Sequence, residues 1–326
     1  MELVCPAGTP AALRAAVEAG AHSIYCGFAD ETNARNFPGL NFSPKELAEG
    51  VAFAHKHGAH VLVAINTFPR AGDETLWHRN IAAAEAAGAD AVILADMGLL
   101  AHAAKLHPNL RRHLSVQAAA ANADVINFYA REFGVKRVVL PRVLTVAEIA
   151  AINKETPDVE TEVFVFGGLC VMAEGRCSLS SYATGQSPNM NGVCSPAAQV
   201  EYVEEGDQLA ARLGDFTIHR VGKDQPAPYP TLCKGCFTSG DQVGHIFEDA
   251  VSLNAQDILP QLAKAGVTAL KIEGRQRSRS YVAQVVRSFR AAVDALAAGQ
   301  PMPQGALAAL SEGQATTTGA YAKTWR

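Results

Sequence analysis

Short apolar, β-rich runs recur along this chain, and most follow a helix-like stretch that ends in glycine. Glu18-Ala19-Gly20-Ala21-His22 leads into Ser23-Ile24-Tyr25-Cys26-Gly27, and Ala86-Ala87-Gly88-Ala89-Asp90 into Ala91-Val92-Ile93-Leu94-Ala95-Asp96. Lys264-Ala265-Gly266-Val267 precedes Thr268-Ala269-Leu270-Lys271-Ile272-Glu273 in the same way, Gly58 precedes the run His60–Asn66, and Gly134 precedes Arg137–Leu140. Glycine at the end of a helix supplies the left-handed conformation that stops it, and a continuous apolar run of this length suits a strand buried on both faces. Ser43-Pro44-Lys45-Glu46 and Thr145-Val146-Ala147-Glu148 read as capping boxes that start helices. Further strands fit near 2–5, 112–117 and 160–166, which makes eight. Helices alternating with eight strands predict a parallel sheet closed into a (β/α)8 TIM-like α/β barrel. An open doubly wound sheet is the alternative, but Cys5-Pro6-Ala7-Gly8-Thr9-Pro10 stands where G-x-G-x-x-G would follow the first strand.

Residues 167–253 break the alternation. They predict a cysteine-rich insertion between strands 7 and 8, with residues 1–166 forming the first seven strands and 254–326 the last barrel unit and a C-terminal helix and tail. A βα loop of this length is functional or a small embedded domain, and in a barrel it emerges on the face where active sites sit.

Composition narrows the reading. The chain has 326 residues, 48% apolar and 18% charged, a globular profile. Its 28 basic and 32 acidic residues leave a net charge of −4, which argues against a generic nucleic-acid binder. No apolar run of about 18 residues is present, so no transmembrane segment is expected. The opening Met1-Glu2-Leu3-Val4-Cys5-Pro6 reads as a strand rather than a signal peptide, and the expected location is cytoplasmic. In a reducing compartment, seven cysteines point to metal ligands or packed thiols rather than disulfides.

Five of the seven, Cys170, Cys177, Cys194, Cys233 and Cys236, fall in the insertion. Thiolates in this number hold zinc or an iron–sulfur cluster. Structural zinc usually takes two tight C-x₂₋₄-C knuckles, and one tight pair exists here; wide, irregular spacing suits a bulkier cluster. Unliganded packing is the plainer alternative, and it is the expectation for Cys5 and Cys26. The C-x₃-C-x₂-C motif of radical clusters is absent, so electron transfer or a structural role is favoured.

Strand ends supply barrel chemistry. Here they offer Asn66, Asp96, Gln117, Arg142, Glu273 and Arg275. Arg142 and Arg275 could grip a carboxylate or phenolate, and Glu273 could move a proton or orient an arginine; the plainer reading is a buried ion pair. Arg275, Arg277 and Arg279 are a weak phosphate signal. His55, His57 and His60 are expected at the surface or in a structural role.

The run Glu162-Val163-Phe164-Val165-Phe166-Gly167-Gly168-Leu169-Cys170, followed by Glu174-Gly175-Arg176-Cys177-Ser178-Leu179-Ser180, resembles the signature of peptidase family U-32. Leu3–Gly8, Thr32–Phe37, Gly39–Phe42, Tyr229–Gly235, Lys271–Ser278 and Ser311–Thr317 extend the match over nearly the whole chain, closest to the ubiquinone-biosynthesis branch. The resemblance implies a [4Fe–4S] cluster on Cys170, Cys177, Cys194 and Cys233, with Cys236 a departure from the pattern. It implies a heterodimer with a UbiV-like protein, a UbiT-like lipid carrier, and oxygen-independent hydroxylation of a ubiquinone precursor, with prephenate as a candidate oxygen donor. Related hydroxylases act on RNA; they carry extra C-terminal sequence and need a basic surface. The alternatives are therefore an RNA-modifying hydroxylase and a non-catalytic cluster-bearing scaffold. Peptidase activity finds no support, since H-E-x-x-H and G-x-S-x-G are both absent.

Overall fold

In the computed structural model, residues 1–188, 194–303, 307–311 and 315–322 are described. Glu312-Gly313-Gln314, part of one motif above, lies outside the described residues. Strands β1 (Glu2–Pro6), β2 (Ser23–Gly27), β3 (His60–Ile65), β4 (Ala91–Leu94), β5 (Arg111–Leu114), β6 (Arg137–Val139) and β7 (Glu160–Gly167) pair in parallel in chain order. The eighth barrel strand is β14 (Ala269–Ile272), which pairs in parallel with both β7 and β1 and closes the ring. The result is a closed eight-stranded parallel barrel with flanking helices.

Helices α1 (Pro10–Glu18), α2 (Pro44–Lys56), α3 (Thr75–Ala86), α4 (Met97–Leu106), α5 (Ala123–Phe133) and α6 (Val146–Glu155) connect the first seven strands. Both capping boxes form: Ser43 with Glu46 starts α2, and Thr145 with Glu148 starts α6. Gly134 ends α5 at φ +62°, the left-handed position its place in the repeat predicts.

Between β7 and β14 the chain makes the short helix α7 (Leu179–Thr184). It then forms an antiparallel sheet of β8 (Val200–Glu205), β9 (Gln208–Leu213) and β10 (Phe216–Gly222), and a hairpin of β11 (Cys236–Ser239) and β12 (Gln242–His245). It returns through β13 (Ser252–Asn254), which lies antiparallel on the end of β7, and through α8 (Leu259–Lys264). After β14, the long helix α9 (Arg279–Ala297) packs on α1. The short β15 (Thr316–Thr317) then pairs with β13. Among the described residues no helix is long and apolar enough to cross a membrane.

Strand alternation divides the core in two. Outward-facing side chains such as Leu3, Ile24, Val63 and Val92 pack under the helices with Phe166 and Phe289. Inside the barrel, Val4, Tyr25, Leu62, Ala64, Ala91 and Ile93 form a separate cluster with Ala269. One half of the interior is charged instead. Arg137 pairs with Glu2, Glu160 and Glu162, and Glu162 also takes Lys271. Each carboxylate here has a cation within reach, the condition for a buried charge to be tolerated.

Candidate functional site

A cavity of about 250 Å³ opens at the C-terminal ends of the strands. Its polar wall comes from the residues just past β6, β7 and β14. Arg142 follows β6 by three residues, Gly168 follows β7 directly, and Glu273 and Arg275 follow β14. Apolar side chains including Phe164, Ile93, Leu169 and Met172 complete the wall.

Arg142 is 4% exposed and is spoken for on every edge. Its Nε donates to Glu174 at 2.6 Å, its Nη1 to Glu273 at 2.7 Å and to the Gly168 carbonyl, and its Nη2 to Cys170 Sγ at 3.2 Å. Its guanidinium stacks on the Phe164 ring, 4.1 Å from the centroid. Burial works against this charge, but Cys170, Glu273 and Glu174 outweigh it and raise the Arg142 pKa.

Glu273 also accepts from Arg35 Nη2 at 3.2 Å. Burial opposes its charge, yet Arg142 and then Arg35 hold the carboxyl down at about 2. A carboxylate this acidic is a poor base near neutral pH; the geometry makes Glu273 the clasp between two arginines.

Arg275 differs. It is buried, its Nη1 donates to Asn33 Oδ1 at 2.7 Å, and its guanidinium lies 5.4 Å from the Tyr25 ring centre. Among the described residues no carboxylate comes within ion-pair distance of it, and burial lowers its pKa to about 10. At the mouth, Arg35, Arg142 and Arg275 face two carboxylates, Glu174 and Glu273. Of these three arginines, Arg275 is the one with no carboxylate partner among the described residues, and it sits on the cavity wall.

Cys170, Cys177, Cys194 and Cys233 line this same cavity, whereas Cys236 begins β11 and does not. Burial pushes the Cys170 thiol up against the opposing pull of Arg142, and pushes Cys233 up to about 11. Among the described residues no three His, Cys, Asp or Glu side chains converge on one metal ion. Thiolates around a single zinc would lie about 4 Å apart, given a Zn–S bond of about 2.3 Å. Four soft thiolates around one cavity, beside Arg275, are a donor set that could hold an anionic iron–sulfur cluster.

Other strand-end candidates have local duties. Asp96 caps α4 through the Leu99 amide, and Asn66 accepts from the Ala34 amide. Gln117 does line the cavity, and its buried Oε1 has no partner. Arg277 lines the wall as well, while Arg279 is the exposed first residue of α9. Cys5 and Cys26 are fully buried packing thiols. His55 and His60 bind Asp90 at the surface. Sequence reasoning missed Glu174, Arg35 and Lys271 as parts of the site. All three stand inside the runs that carried the family resemblance, and that was their only signal.

The chain is 34% identical over 325 residues to the tRNA hydroxylation protein P of Escherichia coli (strain K12), covering 92% of this chain and 69% of that protein. The 23S rRNA 5-hydroxycytidine C2501 synthase of the same organism is 31% identical over 91% of this chain, which spans 40% of it. A collagenase of Porphyromonas gingivalis is 26% identical over 91% of this chain and 66% of its own length. The family model for peptidase family U32 matches residues 8–322. The chain belongs to peptidase family U32.

Proposed function

We propose that this chain is the iron–sulfur subunit of an oxygen-independent ring hydroxylase. The observation that carries the reading is the meeting of Cys170, Cys177, Cys194 and Cys233 with the uncompensated Arg275 around one cavity floored by Tyr25 and Phe164. The four cysteines would hold a [4Fe–4S] cluster, which supplies one-electron chemistry when bound. The protein's own part is placement. Arg275 draws in a carboxylate or ring oxygen, the aromatic and aliphatic wall excludes water, and the Glu273 clasp keeps both neighbouring arginines in fixed positions. The names of the tRNA and rRNA relatives support a hydroxylase; the name of the collagenase relative points to peptide-bond cleavage, for which this chain carries neither H-E-x-x-H nor G-x-S-x-G.

Two ring substrates remain to be separated. The relatives named for tRNA and rRNA hydroxylation favour an RNA base, and favour it more directly than a quinone. The net charge of −4 and the ordered motifs, which resemble the ubiquinone-biosynthesis protein UbiU, support a ubiquinone precursor ring, handled with a UbiV-like partner and a UbiT-like carrier. The deciding experiment is anaerobic co-expression with a UbiV-like protein in cells lacking this chain, followed by iron and sulfide quantitation. Accumulated quinone intermediates and hydroxylated nucleosides are then measured side by side. Restored quinone hydroxylation selects the ubiquinone precursor, restored nucleoside hydroxylation the RNA base, and stoichiometric zinc without iron or sulfide defeats the cluster reading.

A further inference from the structure

The mouth holds three arginines, Arg142 and Arg275 buried and Arg35 partly exposed, and their surroundings differ in one respect that bears on electron chemistry. Arg142 presents Nη2 to Cys170 Sγ at 3.2 Å. The rest of its guanidinium is immobilised: Glu174 holds Nε, Glu273 and the Gly168 carbonyl hold Nη1, and the Phe164 ring lies against its face. With the Arg142 side chain 4% exposed, bulk water does not compete for its N–H donors. A planar fork fixed at two corners has its third corner aimed, which a flexible lysine would not achieve.

A charged N–H donor on a ligating sulfur stabilises the state in which that sulfur carries more negative charge. In an iron–sulfur cluster that state is the reduced one, and hydrogen bonds to sulfur are among the levers that set the potential. We infer that Arg142 is a positioning residue that raises the reduction potential of the cluster through Cys170, while Glu174 and Glu273 set how much of its charge the sulfur feels. The inference rests on the cluster reading above. It also reassigns Arg142: the residue faces the electron carrier, and substrate binding falls to Arg275.

The test uses the anaerobically purified, cluster-loaded chain with its partner, titrated with dithionite and followed by electron paramagnetic resonance. Arg142→Gln is expected to make reduction at least about tenfold less favourable, a fall in midpoint potential of about 59 mV for a one-electron couple. Glu174→Gln keeps the shape and an acceptor for Nε but removes the opposing charge, so the potential should rise. Arg275→Gln removes an equally buried cation from the same cavity, one that the structure does not place on a cysteine sulfur, and should move the potential far less than Arg142→Gln. Loss of iron from Arg142→Gln leaves the decision to Glu174→Gln, where an unchanged or lower potential overturns the inference. Equal shifts in Arg142→Gln and Arg275→Gln also overturn it, because a general field would then suffice. Native protein without iron or sulfide would overturn the cluster reading and this inference together, whereas a loaded cluster indifferent to Arg142 would overturn the inference alone.

Discussion

Arg142 and Arg275 carry the same group into the same cavity and meet opposite fates. Arg142 is fully paired, so truncation leaves Glu174 and Glu273 short of a partner. Removing one member of a buried ion pair commonly costs about 3–5 kcal/mol, and Arg142→Ala is expected to lower thermal stability on that order. Arg275→Gln removes a charge that has no carboxylate partner among the described residues. Its melting temperature should stay within a few degrees of the parent while anaerobic hydroxylation falls, a combination checked by calorimetry and product analysis. Retained hydroxylation would remove Arg275 from the substrate-binding role. Glu273 supplies a pH signature. Its carboxyl sits at about 2 in the fold against an ordinary value near 4.5, so its stabilising contribution is complete above about pH 4.5 and is lost as pH falls toward 2. Urea unfolding at pH 5 and pH 3 should show a smaller acid-induced loss for Glu273→Gln than for the parent. The three strand-end candidates were legible because a barrel places its chemistry at strand C-termini. Their division of labour was not, since it depends on Glu174 and Arg35, which reach the site from loops far away in sequence.

The connecting segments repeat this lesson for whole elements. Strands and caps were readable where local chemistry decides them, as the two capping boxes and the glycine that ends α5 show. Residues 167–253 lacked any helix–strand rhythm, yet they hold a helix, a three-stranded sheet and a hairpin. Residues such as Tyr202, Phe216 and Val243 stand exposed on those strands, so the alternation of buried and solvated positions that would reveal them is blurred. Gly175 ties this segment to the barrel. It sits at φ +81°, and a Cβ there would fall 2.1 Å from the Gln117 carbonyl oxygen. Gly175→Ala therefore adds a left-handed penalty of about 1–3 kcal/mol and forces the backbone away from Gln117. Because Glu174 precedes it and Cys177 lies two residues on, the variant should lose iron as well as stability. A variant that keeps its full iron content would show that this loop does not register the cysteines.

The molecule as a whole separates two kinds of buried charge. From the N-terminal ends of the strands inward, Glu2, Glu160 and Glu162 are matched by Arg111, Arg137 and Lys271. The hydropathy of the strands concealed this matching at Lys271, which stands between Leu270 and Ile272. The mouth, by contrast, keeps Arg275 without a carboxylate partner among the described residues. The C-terminal segment adds a mechanical link to the strand end that leads into Cys170. β15 pairs with β13, which itself lies on the end of β7; Tyr321 donates to the Phe164 carbonyl at 2.6 Å, and Gly319 packs on Leu169 next to Cys170. The last described residues thus buckle down the strand end from which the first cysteine departs. Deleting residues 315–326 should leave the eight-stranded ring cooperative, because its strand pairing and its contact with α9 lie elsewhere, while freeing the β7 terminus to fray. Heating such a variant should release iron at a temperature below the loss of helical circular dichroism, whereas the parent loses both together. The tail then behaves as a seat belt: without it the passenger leaves before the vehicle fails.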